Sequence, residues 1–282
     1  MNDAKPTKTT ANFREIFMGR CYQYDSAGLY EESATRNCED LWMKFTAAVY
    51  GKTDTPEQDY EEFFDAALAG ALRINNKALY WSKTGVYASL LGKYFENFVT
   101  VNMLLPGYIL DGLSWCGSLD VPNGFSENDC PPWESRNGHM EYSFWAYASR
   151  EFALSSVGKI TVLINGSAGV LPYDKNSILR SIEMPSINGK KVSSAEIIVW
   201  LDHETHEEKE SNFYYCDSDN VMALHKSLAE KLGKENVNCE ENPAFIHHLN
   251  CAFNPKLQGC ASCTQQLNFL IVFVVFAKVL FL

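Results

Sequence analysis

In "EDLWMKFTAAVYG", residues 39–51, the apolar side chains Leu41, Trp42, Phe45, Ala48 and Val49 recur three and four positions apart, which predicts a helix with one buried face. Thr55-Pro56-Glu57-Gln58 has the form of a capping box with proline at the first helical position, so a second helix is expected there, with Gly70 as its stop. "MEYSFWAYASREFALSS" continues the helical spacing over 140–156. The period then changes. "KITVLIN" (159–165) and "AEIIVWL" (195–201) are short apolar runs rich in β-branched residues, suited to buried strands. "DNVMALHKSLAEKLG" (219–233) returns to an amphipathic helix ending at Gly233, followed by a strand around Val237 and a helix from Pro243 to Leu249. A helical first half followed by alternating strands and helices predicts an α+β / α/β protein, with a helical N-terminal lobe and a C-terminal lobe built on a small parallel sheet flanked by helices. The expected divisions are a disordered segment 1–12, a helical lobe 13–112, a hinge and crossing helix 113–158, an α/β lobe 159–260 and a hydrophobic C-terminal segment 261–282. A cleft between two such lobes is a usual place for a small-molecule site.

Composition narrows the function classes. With 282 residues, 46% of them hydrophobic and 13% aromatic, the chain can bury a full core. A net charge of −11 argues against nucleic acid as a partner but leaves room for a small anionic substrate held by a few local donors. The nine cysteines, at 21, 38, 116, 130, 216, 239, 251, 260 and 263, lack the paired spacing of a zinc ribbon, so disulfides in an oxidising compartment are the better account. Eight cysteines allow 105 pairings, and spacing alone does not choose among them. Asn165-Gly166-Ser167 is a glycosylation sequon that fits the same compartment. "LNFLIVFVVFAKVLFL" (267–282) is apolar but shorter than the roughly 20 residues of a spanning helix. With the small residues Gly259, Ala261 and Ser262 upstream, it is read as a cleaved glycolipid-anchor signal at the cell surface; a C-terminal span and a secreted form are the alternatives. "MNDAKPTKTT" shows no secretory leader.

Candidate chemistry is sparse. His203 and His206 in "DHETHEE" are three apart in a charged stretch, and His247-His248 are neighbours whose rings diverge on a helix; neither pair is read as a metal site. No nucleophile elbow, phosphate loop or dinucleotide fingerprint stands in a suitable context. Glu183, in "SIEMPSI", lies between Ile182 and Met184, either as a strand-end carboxylate whose head reaches water or as a charge held in a dry cleft. Trp81 and Trp145, taken singly, read as core packing.

As a set, "FMGRCYQY", "NCEDLWMKF", "ALYWSKTGVY", "LPGYILDGLSWCG", "FWAYASREFA" with "VLINGS", and "DKNSILRSIEMPSI" resemble, in order and over roughly residues 13–260, the ADP-ribosyl cyclase / NAD glycohydrolase family of the mollusc cyclase and the leukocyte ecto-enzymes. The resemblance implies that Glu183 is the catalytic glutamate, that Trp81 and Trp145 position the nicotinamide end, and that Ser149 lines the same pocket. It implies that Asp111 contacts the nicotinamide amide and that Ser82, Lys83 and Ser177 lie where the diphosphate binds. It also implies disulfides Cys21–Cys38, Cys116–Cys130, Cys216–Cys239 and Cys251–Cys260, with Cys263 left over. NAD, with NADP as an alternative, would be the substrate; no cofactor and no metal are implied, and oligomeric state is left open.

The chain departs from the family in three places. Asn102 and Met103 stand where an acidic pair is usual, Lys83 stands where arginine is common, and a further hinge disulfide is missing from both "KTDTPEQD" and "PPWESRNGH". The implied chemistry nevertheless suits one glutamate. Nicotinamide in NAD is cationic and leaves neutral, so its departure needs no protonating acid, and one carboxylate in a dry site can stabilise the oxocarbenium-like centre. Tryptophan faces suit the pyridinium cation. Water captures the intermediate as ADP-ribose and the substrate's own adenine captures it as cyclic ADP-ribose; Asn102 is expected to favour cyclisation. The alternatives are a non-catalytic surface receptor or adhesion protein that keeps the fold, and a disulfide-rich hydrolase with an unrelated substrate.

Overall fold

A computed structural model describes residues 8–24, 37–68, 72–127, 130–131, 133, 139–167, 171–201 and 213–253. The first half opens with α1 (Phe13–Gln23), α2 (Cys38–Val49) and α3 (Glu61–Ala67). The predicted face of α2 is the buried one, and the Asn37 side chain caps the helix by accepting the Asp40 N–H at 3.1 Å. These helices enclose a largely aromatic core in which Phe13, Phe17, Trp42, Phe45, Phe63 and Trp115 meet mostly edge to face or tilted, with Phe13 stacked on Phe45. The expected capping box does not form. Thr55 is fully buried and its hydroxyl donates to Ala48 O at 3.0 Å, while a 3-10 turn, Glu57–Tyr60, leads into α3 without a side-chain cap. Gly70, the expected stop, lies outside the described residues.

The first half is not wholly helical. It contributes β1 (Ile74–Asn75) and β2 (Ala78–Ser82), and both pair in parallel with β5 (Ser156–Asn165). On the other edge of β5 lie β6 (Val192–Trp200) and then β7 (Val237–Glu241), also parallel. Residues 117–118 and 121–125 form a small hairpin, β3 and β4. Between the strands run α4 (Gly85–Tyr94), α5 (Leu105–Leu110), α6 (Met140–Ser155), a short α7 (Met184–Ser186) and α8 (Asp219–Leu232), and α9 (Ala244–Phe253) follows β7. The strand sequences read as continuous apolar runs because both faces of the sheet are covered. Val162, Ile164, Ile197 and Val199 join the main core with α6 and α8, while Leu79, Leu163 and Ile198 join a second core with Ala88 and Leu91 of α4 and Ile246 and Leu249 of α9.

Three of the expected disulfides are present: Cys21–Cys38, Cys116–Cys130 and Cys216–Cys239. Cys260 and Cys263, the segment 261–282, and His203 and His206 lie outside the described residues. Among the described residues no helix is long and apolar enough to cross a membrane, and no group of three or more His, Cys, Asp or Glu side chains is placed to hold a metal ion.

Candidate active site

Ligands of open parallel sheets bind beyond the carboxyl ends of the strands, and Ser82, Lys83 and Asn165 lie at the ends of β2 and β5. Strand β2 ends at Ser82, which is buried; Trp81 is half-buried and Lys83 exposed. Lys83 adopts φ +61°, a left-handed conformation uncommon for a lysine, and the loop is tied to β5 by the Thr84 hydroxyl, which donates to Leu163 O at 2.9 Å. A Cβ on Gly85 would lie 3.1 Å from the Trp81 ring, so the indole packs directly on the start of α4. At the end of β5, Asn165 accepts the Ser167 N–H at 2.8 Å, and its amide donates to Lys83 O at 3.4 Å.

The free edge of β2 brings in the next segment. Val99 forms a parallel bridge with Ala78, with Leu79 N–H donating to Val99 O at 2.8 Å. The 3-10 turn Val101–Met103 therefore emerges at the same end of the sheet, followed by α5 and by Asp111, the residue just past its C-terminus. "LPGY" has a packing reason. Pro106 sits in the first turn of α5, and a Cβ at Gly107 would overlap Val101 O, so glycine lets α5 lie against the preceding turn. The Asn102 amide donates to Asp111 Oδ1 at 2.6 Å; the Asn102 Oδ1 atom is buried and has no hydrogen-bond partner.

The carboxylate comes from a third direction. Residues Leu179–Glu183 form a π-helical turn in which Met184 N–H donates to Leu179 O, five residues back. Pro185 has no N–H with which to make the α-type bond to Ser181 O, which favours this wider turn. Ser177 supports its start, donating to Asp174 O at 2.7 Å and accepting Arg180 N–H at 3.2 Å. Glu183 is thus on a π turn and not at a strand end, with 6% of its surface exposed. Burial pushes its carboxyl up to about 8, and a hydrogen bond with Ser149 lowers it only in part. Ser149 lies one turn after Trp145 on α6, so these two share a helix face.

Tyr80 and Ser156 complete the surroundings and carry no motif. The Tyr80 hydroxyl lies 2.7 Å from Ser156 Oγ, and the Ser156 hydroxyl donates to Phe152 O at 3.0 Å, so Tyr80 donates to Ser156. Burial raises the Tyr80 phenol and the nearby Glu183 charge adds to the rise, so Tyr80 stays neutral beside the carboxyl group. Glu183, Ser149 and Tyr80 form one group. Trp81, Ser82, Lys83 and Asn165 cluster at the strand ends, and Asn102 and Asp111 form a hydrogen-bonded pair. Trp81 and Trp145 make no ring contact with one another among the described residues. Together these groups offer a dry carboxylate, two partly exposed indoles, and backbone and lysine donors at a strand-to-helix turn. That set can stabilise a cationic sugar carbon and hold an anionic tail.

Known proteins share this sequence pattern and fold. The profile of the ADP-ribosyl cyclase family matches residues 10–260. The chain is 30% identical over 258 residues to the ADP-ribosyl cyclase/cyclic ADP-ribose hydrolase of Aplysia californica, covering 89% of this chain and 87% of that one. It is 31% identical to ADP-ribosyl cyclase/cyclic ADP-ribose hydrolase 1 of Mus musculus, covering 89% and 80%. Among solved structures, it is similar to Aplysia cyclase complexed with substrate NGD and product cGDPR, with a TM-score of 0.75, 29% identity and coverage of 90% of this chain and 98% of that one.

Proposed function

The chain belongs to the ADP-ribosyl cyclase family, and on that premise we propose that it cleaves the nicotinamide–ribose bond of NAD with Glu183 facing the reacting carbon. The reaction releases nicotinamide and gives ADP-ribose, cyclic ADP-ribose or both. The observation that carries the assignment is a single carboxyl group, 6% exposed, on a π turn beside Ser149 and Tyr80. A carboxylate in such a site stabilises positive charge on the ribose more strongly than one in water, and the pyridine departs as a neutral molecule without a proton. The Trp81 and Trp145 faces hold the pyridinium by cation–π attraction. Ser82, Lys83 and Ser177 take the diphosphate, with lysine acting as a point charge where arginine would give a fork. The buried Asn102 Oδ1 and the exposed Asp111 present acceptors to the N–H groups of the carboxamide. No cofactor is needed, because NAD is itself the electrophile.

The disulfides support an extracellular or luminal setting. We place the protein on the outer cell surface with a glycolipid anchor near residue 260; release by a phospholipase that cuts such anchors tests this, and a mass loss with glycosidase tests the Asn165 sequon. The function is tested by incubating the full chain with NAD and separating nicotinamide, ADP-ribose and cyclic ADP-ribose by chromatography. Nicotinamide release is expected; none from a folded, disulfide-intact sample would contradict the assignment.

A further inference from the structure

The end of α1 grips both segments that carry the Asn102–Asp111 pair. Arg20 donates through one guanidinium nitrogen to Ile109 O at 2.9 Å and to Asp111 O at 2.7 Å, closing the C-terminus of α5 where its last carbonyls have no helical partners. One turn later, the Tyr24 hydroxyl donates to Met103 O at 2.8 Å, next to Asn102, and its ring lies 5.3 Å from that of Tyr108 on α5. Between the two, Cys21 is bonded to Cys38, so this turn is fastened to α2 and cannot slide along the helix axis independently. The Asn102–Asp111 bond of 2.6 Å joins the two gripped segments to each other. The two segments are short: three residues in one and six in the other. So few residues have little stiffness of their own, and the spacing of the pair is set by what holds their carbonyls.

We propose that Arg20 and Tyr24 are positioning residues that fix the Asn102–Asp111 pair and thereby set the enzyme's preference for a pyridine bearing a primary carboxamide. The inference rests on the reading that this pair receives the nicotinamide amide. Loosening the grip lets the two acceptors separate, which weakens recognition of the amide N–H groups and leaves the carboxylate chemistry of Glu183 in place.

The test compares NAD with its 3-acetylpyridine analogue, whose ring substituent has the carbonyl but no N–H donors, in the full chain and in Tyr24→Phe, Arg20→Gln and Arg20→Lys. Tyr24→Phe removes one oxygen atom and is the variant least able to disturb folding. In Tyr24→Phe and Arg20→Gln, the ratio of kcat/KM for NAD over the analogue should fall about three- to tenfold, the range of one lost hydrogen bond, mainly through KM for NAD. Arg20→Lys, which keeps a cationic donor, should recover part of the ratio. A general loss of structure would lower both substrates together and leave the ratio unchanged. An unchanged ratio in both Tyr24→Phe and Arg20→Gln, with the wild type active on NAD, would overturn this inference alone; a wild type inactive on NAD would overturn the reading beneath it as well.

Discussion

A carboxyl group taken out of water holds its proton to higher pH, and Glu183, pushed up to about 8, is largely protonated in the free protein at neutral pH. The carboxylate is the form that faces a cationic sugar, so kcat/KM for NAD should rise about tenfold per pH unit on the acid side and level off near pH 8. The bound pyridinium favours the charged form, so the corresponding limb in kcat should lie at lower pH. Rate profiles in both parameters, taken from pH 5 to 9, check this; a kcat/KM flat down to pH 5 would contradict a dry Glu183. Asn102 bears on the next step. Its Asn102→Glu variant places a second acid beside Asp111, and the cyclic ADP-ribose fraction of product should fall; a product ratio identical to wild type would show that position 102 does not steer the intermediate. At this scale the motif set carried Glu183, Trp81, Trp145 and Ser149 in the sequence. Tyr80 and Ser156 were hidden because their contact depends on the pairing of β2 with β5, and Thr55 because its partner, Ala48 O, is a tertiary contact that no local pattern shows.

Short elements do much of the positioning. The π turn aims Glu183, and the close packing of α5 on the Val101–Met103 turn aims Asn102 and Asp111. Gly107→Ala puts a methyl group into Val101 O, and separating the two turns should lower stability by about 1–3 kcal/mol and reduce kcat/KM for NAD more than kcat. Denaturant unfolding and NAD kinetics on the same sample check it; wild-type values in both would mean the contact yields freely. Helices α2, α6 and α8 were legible from their periods, and β5 and β6 from short apolar runs rich in β-branched residues. β2 was not, because "ALYWS" runs through a short loop into the apolar helix α4, and an apolar stretch of that kind has no period to separate strand from helix. The same ambiguity concealed the join between the halves, since β1 and β2 place part of the first half in the sheet.

Over the whole molecule, a net charge of −11 is compatible with the proposed anionic dinucleotide substrate, because on that proposal Lys83 and the turn after β2 would meet the anion locally and the overall field would not. The disulfides act at the same scale. Cys21–Cys38 ties α1 to α2, Cys116–Cys130 closes the segment that holds the β3–β4 hairpin, and Cys216–Cys239 fastens the approach to α8 onto β7. Their pairing was legible only through resemblance, since cysteine count leaves every connectivity open. The central claim is that one buried carboxylate drives release of nicotinamide, and the direct measurement is the rate of that release from saturating NAD by the wild type and by Glu183→Gln, with folding checked by circular dichroism. The account predicts a loss of at least about 10²- to 10³-fold in a folded variant; retention of activity within tenfold would contradict it.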